Sequence, residues 1–118
     1  MTGNDKQNVI DRLKSYNKRF DDLLALLENL PLHGNDKTNA QQMLKTLKEL
    51  LKSDYKDGDT NRGRQRMTEI EKHYFHPAVH EAYAAIRVRW NTIPTGQWFS
   101  ELYSAQINIT HMLHQLEK

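Results

Sequence analysis

His73, His76 and His80 are the residues of this chain whose type and spacing come nearest to a metal-binding or catalytic set. At about 100° per residue they fall on one side of an ideal helix with Glu69 and Arg87, opposite Met67, Ile70, Tyr74 and Ala78. His76 and His80 are four residues apart, a spacing that lets two imidazoles hold one metal ion. Glu69 or His73 would add a third ligand and leave a position open for water or a partner side chain. The plain alternative is a solvated polar face, with Pro77 disturbing the ideal register. His111 and His114 form a second, weaker pair. The recognised metal-helix patterns are missing. His80-Glu81 begins like a zinc-protease helix, but Ala84 stands where the second histidine belongs. No Glu is followed by His three residues later, as a di-iron bundle requires. The reading therefore assigns no resident metal and no cofactor.

Positive charge is the second feature. Arg62, Arg64 and Arg66 cluster, and Lys45, Lys48, Lys52 and Lys56 form a helical ridge just before them. The loop between brings the two groups near each other, and such a patch could hold the phosphates of RNA, DNA or another anionic partner. Lysines at helical spacing are also the ordinary outer face of a bundle helix. The helices are too long for a helix-turn-helix unit, and no base-reading module is recognisable.

Arg66 and His73 together resemble the Arg-x(4–6)-His motif of HEPN-domain ribonucleases, a likeness that covers eight residues. That family is all-helical and near this size. The resemblance implies a pair at the mouth of a helical groove, usually in a dimer, that cleaves RNA at the 2′-hydroxyl. Met67 departs from the pattern, since the family usually has a polar residue after the arginine.

Aromatic residues gather late in the chain: Tyr74, Phe75, Tyr83, Trp90, Trp98, Phe99 and Tyr103. Most belong to a core, where aromatics dominate burial. They do not all fit one inward stripe. Phe75, Tyr83, Trp90 and Phe99, with Arg87 and Arg89 beside them, have the composition of a protein-binding hot spot. Signatures of other enzyme classes fail. There is no Gly-rich phosphate loop and no Gly-x-Ser-x-Gly. Asp54, Asp57 and Asp59 lack the glycine and final carboxylate of an EF-hand loop at the required offsets.

The elements that must position these residues are read from apolar spacing. Val9, Leu13, Tyr16, Phe20, Leu23, Leu27 and Leu30 step by four and three. So do Ala40, Leu44, Leu47 and Leu51, and so do Trp98, Leu102, Ala105, Ile109, Met112 and Leu116. Such positions share one stripe of an α-helix and have to be buried against similar stripes. The first helix runs from about Asp5 to Leu30, stopped by Pro31. The second runs from Asp36 or Thr38 to Tyr55, and the third from Asn61 or Arg62 to Trp90 or Asn91. Pro77 must kink or break the third. Thr95 can cap the last, which continues to about Leu116. Short connectors favour antiparallel neighbours, so the expected fold is all-α, one up-down-up-down four-helix bundle domain over residues 1–118.

A chain of 118 residues can bury a core without staples. It has no cysteine, which excludes thiol catalysis, disulfides and cysteine-rich zinc sites. Seventeen basic and 15 acidic residues leave a net charge of only +2, less than a dedicated nucleic-acid binder usually carries. No apolar run is long enough to span a bilayer, and the polar start MTGNDKQ is unlike a signal peptide. The expectation is a soluble, cytoplasmic binding or adaptor module without catalysis of its own. Its partner is another protein or a second copy of itself. Nucleic-acid binding by Lys48, Lys52, Arg62, Arg64 and Arg66 is the alternative, as is a histidine-based metal or ribonuclease site.

Overall fold

The computed structural model of the chain describes residues 2–28 and 34–118. Five α-helices are found there: α1 (Thr2–Leu27), α2 (Asp36–Gly58), α3 (Asn61–Arg66), α4 (His76–Ile86) and α5 (Thr95–Leu116). No strand occurs among the described residues. α1 packs against α2 and α5, α4 packs against α2 and α5, and α3 lies against α2. The expected stripe of α1 is buried from Val9 to Leu27, and that of α2 from Ala40 to Leu51. Leu30 and Pro31 lie outside the described residues. In α5 the stripe holds through Ile109, then Leu113 rather than Met112 takes the core position.

The third segment differs most from expectation, giving five helices rather than four. It breaks first at Met67, whose backbone is extended (φ −76°, ψ 142°). Thr68 then opens a new helical stretch through a reciprocal cap. Its hydroxyl accepts from the Glu71 backbone N–H at 3.2 Å, and the Glu71 carboxylate accepts from the Thr68 N–H at 3.1 Å. Residues Glu71–Phe75 form a π-helical turn, in which the His76 N–H donates to the Glu71 carbonyl. Pro77 follows directly, in the first turn of α4. A proline has no N–H for the carbonyl four residues back, and its ring crowds that turn. The wider π turn accommodates both defects. It also shifts the register, so Phe75 and Val79 point fully into the core while Ile70 and Tyr74 stay half-buried.

α4 ends at Ile86, earlier than expected. The Trp90 indole N–H donates to the Ile86 carbonyl at 2.7 Å and so satisfies one orphan acceptor of the helix end. Trp90–Thr92 form a 3₁₀ turn. α5 begins at Thr95 itself, with Pro94 before it and no side-chain cap bond, so the expected Thr95 cap is not made.

One polar cluster ties α1, α2 and the π turn together. Arg12 pairs with Glu71 at 2.9 Å and Asp54 at 3.8 Å, and its guanidinium lies 3.8 Å from the Phe75 ring centroid. Tyr16 donates to Asp54. Burial, and then the Asp54 hydrogen bond and charge, push the Tyr16 phenol well above its ordinary pKa. Across the α1–α5 contact, the Gln106 amide donates to Asn17 at 2.9 Å and Asp21 at 2.6 Å. No helix is long and apolar enough to cross a membrane among the described residues.

Candidate functional site

A cleft of about 750 Å³ lies between α2 and the connection from α4 to α5. One wall is the outward row of α2: Gln41, Lys45, Lys48, Glu49 and Lys52, with Leu44 beneath. Residues three and four apart share a helix face, so the same repeat that buries Leu44 and Leu47 sets the lysines along the rim. The other wall is Tyr83 from α4, then Arg87, Val88, Arg89 and Asn91 of the connection. Trp90 and Trp98 line the floor, edge to face with ring centroids 5.6 Å apart. Both indole N–H groups are already engaged, Trp90 with Ile86 and Trp98 with the Ile93 carbonyl at 3.0 Å. Their positions are therefore fixed by the fold and need no ligand. Tyr83 stacks obliquely on Tyr55, centroids 4.9 Å apart, and the Arg87 guanidinium lies 6.0 Å from the Tyr83 ring centroid.

Charge is the notable property of this cleft. Lys45, Lys48, Lys52, Arg87 and Arg89 line it, and Glu49 is the one carboxylate among the lining residues. None of the five cations is within ion-pair distance of a carboxylate among the described residues. Converging cations on low-dielectric aromatic walls focus a positive potential into the space between them.

Two groups that the sequence kept apart meet here. Lys48 and Lys52 came from the basic patch, and Tyr83, Arg87, Arg89 and Trp90 from the aromatic–arginine set. The rest of those sets lies elsewhere. Phe75 is only 1% exposed, beneath Arg12, and cannot anchor a partner. Trp90 is 6% exposed, so it is floor rather than a projecting anchor. Phe99 is half-buried and stacks in parallel on Tyr103, outside the cleft lining. Arg62, Arg64 and Arg66 are exposed on α3 and do not line the cleft, and Arg64 donates to Asn61 at 2.9 Å. The basic patch is thus divided in two.

The histidines do not gather into a ligand set. His73 is exposed on the π turn, 3.4 Å from Glu69. His76 packs against Gly58 so closely that a Cβ there would sit 2.0 Å from its Nδ1. That Nδ1 is buried with no hydrogen-bond partner. Desolvation by burial, and then the charge of His80 and Arg64, hold the His76 imidazole below its ordinary pKa. His80 lies edge-on to His76, ring centroids 5.9 Å apart. No group of three or more potential metal ligands exists among the described residues. Arg66 and His73 are both exposed, and no hydrogen bond joins them among the described residues.

Trp98 is buried, as its place in the apolar stripe requires, and it also lines the cleft. Tyr103, one of the aromatics that do not fit a single inward stripe, is 52% exposed on α5, as is Ile107. No protein family, curated protein or solved structure matches the chain significantly.

Proposed function

We propose that this chain is a small helical binding module, without catalysis of its own, that docks an acidic segment of another protein in the α2–α4 cleft. In this reading α1, α2, α4 and α5 act as an up-down-up-down four-helix bundle, with α3 as an appendage. With no cysteine, the module suits a reducing compartment such as the cytoplasm. The observation that carries the proposal is the five cations on the two walls, none ion-paired among the described residues, over an aromatic floor. Exposed ion pairs contribute roughly 0.2–1 kcal/mol each, so five give steering and orientation rather than tight binding. An apolar side chain seated beside Leu44 and Val88 would supply the rest.

A protein partner fits better than nucleic acid. Binding of single strands relies on exposed aromatic faces on which bases stack. Trp90 and Trp98 are both almost fully buried, and Tyr83 is occupied by Tyr55. Glu49 would also oppose a continuous run of phosphates, and the arginines of α3 lie off the cleft.

The test uses the chain's own reporters. Its two tryptophans both line the cleft, so intrinsic fluorescence reads occupancy there directly. Titration with a synthetic peptide of alternating Glu and Leu is expected to give a saturable, salt-sensitive change. A single-stranded oligonucleotide of equal charge is expected to give a weaker one. No response to the peptide, or a stronger response to the oligonucleotide, would overturn the proposal.

A further inference from the structure

His76 occupies a seat that only a glycine can provide. Gly58, the last residue of α2, is buried, and its φ is not positive, since Gly34 alone among the described residues has that conformation. Backbone geometry therefore does not call for glycine at this position. Space does: a Cβ there would overlap Nδ1, Cε1 and Cγ of the His76 ring. The ring rests with its Nδ1 edge on the end of α2. Its backbone is pinned separately, by the bond from the His76 N–H to the Glu71 carbonyl.

In this seat Nδ1 is the one buried side-chain nitrogen or oxygen without a hydrogen-bond partner among the described residues. A neutral imidazole tolerates that, because Nδ1 can stay an unprotonated acceptor. An imidazolium does not, because both ring nitrogens are then donors and one would be buried with no acceptor. The surrounding charges do not compensate. Arg64 of α3 and His80 of α4 oppose a positive ring, and Asp59, just after Gly58, favours it. Glu71 is taken up by Arg12, and Glu81 lies 3.6 Å from His80. A protonated ring therefore gains by swinging out of the seat, where water receives both N–H groups.

The seat is at one end of the α2–α4 contact and the cleft is at the other. A row of rings runs between them. His76 meets His80 with centroids 5.9 Å apart, His80 lies 5.3 Å from Tyr55, and Tyr55 lies 4.9 Å from Tyr83. Tyr83 is a wall of the cleft. Tyr55 comes from α2 and the other three rings from α4, so the row is a seam between the two helices.

We propose that His76 is a proton-operated clasp: proton uptake drives its ring off Gly58, loosens α4 from α2 and so weakens the cleft's hold on its acidic partner. The consequence at the cleft rests on the binding function proposed for it. A cleft that is assembled in only a fraction of the molecules binds with its intrinsic Kd divided by that fraction. The direction is diagnostic. Acid charges the exposed histidines, and added positive charge by itself favours an acidic peptide. At about pH 5.5 the peptide's carboxylates are still ionised. Weaker binding there means that the cleft has come apart.

Two readouts, each taken at about pH 7.5 and about pH 5.5, separate the clasp from the cleft. Amide hydrogen exchange, corrected for its intrinsic pH dependence, is expected to quicken in acid about fivefold at the end of α2 and in α3. It should not quicken in His76→Phe, whose ring fills the seat without titrating. The Kd for the Glu-Leu peptide, read by tryptophan fluorescence, is expected to rise about fivefold in acid for the wild type and to stay level or fall for His76→Phe. Gly58→Ala should evict the ring at neutral pH and bind the peptide weakly at both pH values. Should His76→Phe not fold, His76→Gln takes its place. Exchange that acid leaves unchanged in the wild type, or that quickens equally in the variant, overturns the clasp. Quickened exchange with an unchanged Kd overturns its link to the cleft. Absence of peptide binding at neutral pH overturns the binding function instead, and the exchange alone then decides the clasp.

Discussion

Replacing Phe75 by alanine tests the register that the π turn imposes. The ring is 1% exposed, tilted against Tyr16 at 6.5 Å between centroids and covered by the Arg12 guanidinium. Removing a buried Phe side chain costs about 3–5 kcal/mol, and loss of the cation–π contact adds roughly 0.5–1 kcal/mol. A 118-residue domain is expected to have roughly 6–18 kcal/mol of total stability. The variant should therefore remain folded in buffer but lose a large share of its margin. With a urea dependence of about 1–3 kcal/mol per molar, the unfolding midpoint should fall by about 1–6 M. Tyr74→Ala is the companion measurement. Tyr74 is half-buried at the core edge and should cost clearly less. In an uninterrupted α-helix from Met67 onward, Tyr74 would hold the inward position. Equal costs, or a larger cost at Tyr74, measured by far-ultraviolet circular dichroism in urea, would refute the π-shifted register.

Two further outcomes follow from the titrating groups. His76 is held neutral by burial, with its pKa below the unfolded value of about 6.5. Between the two pKa values the unfolded chain binds more protons, so stability should fall as pH drops below about 6.5 and level off once the folded pKa is passed. That slope, read from urea midpoints across the range, should vanish in His76→Gln, and its persistence there would exclude His76 as the source. Burial raises the Glu71 carboxyl, but hydrogen bonds from Thr68 and Arg12 and the Arg12 charge outweigh it and leave the pKa lowered. Its contribution is present above the ordinary carboxyl range and is lost as pH falls through the folded value. Glu71→Ala should cost about 1–3 kcal/mol at neutral pH, since it removes the cap and leaves Arg12 short of a partner.

The apolar stripes of α1, α2 and α5 were legible because burial in a helix repeats every three or four residues and side-chain identity alone marks it. The third segment was not, although its signals were present. Thr68 and Glu71 have capping-box spacing, and that start was overlooked because the apolar period runs across it. The π turn leaves no mark in the apolar period except Phe75 standing two residues before Pro77. The cleft was half legible. Its lysines and its aromatic–arginine group were each identifiable by composition, but they are more than 30 residues apart in sequence. Only the packing of α4 on α2 makes one site of them.

The most direct test of the binding reading is a charge swap at the cleft. Lys45, Lys48 and Lys52 are changed to Glu together, and binding of the Glu-Leu peptide and of a matching Lys-Leu peptide is followed by tryptophan fluorescence. All three sites lie on the outer side of α2, so the helical spectrum and urea midpoint should stay near wild type. The account predicts that the variant loses the acidic peptide by at least tenfold in Kd and gains the basic one. An unchanged affinity for the acidic peptide in a folded variant would contradict it.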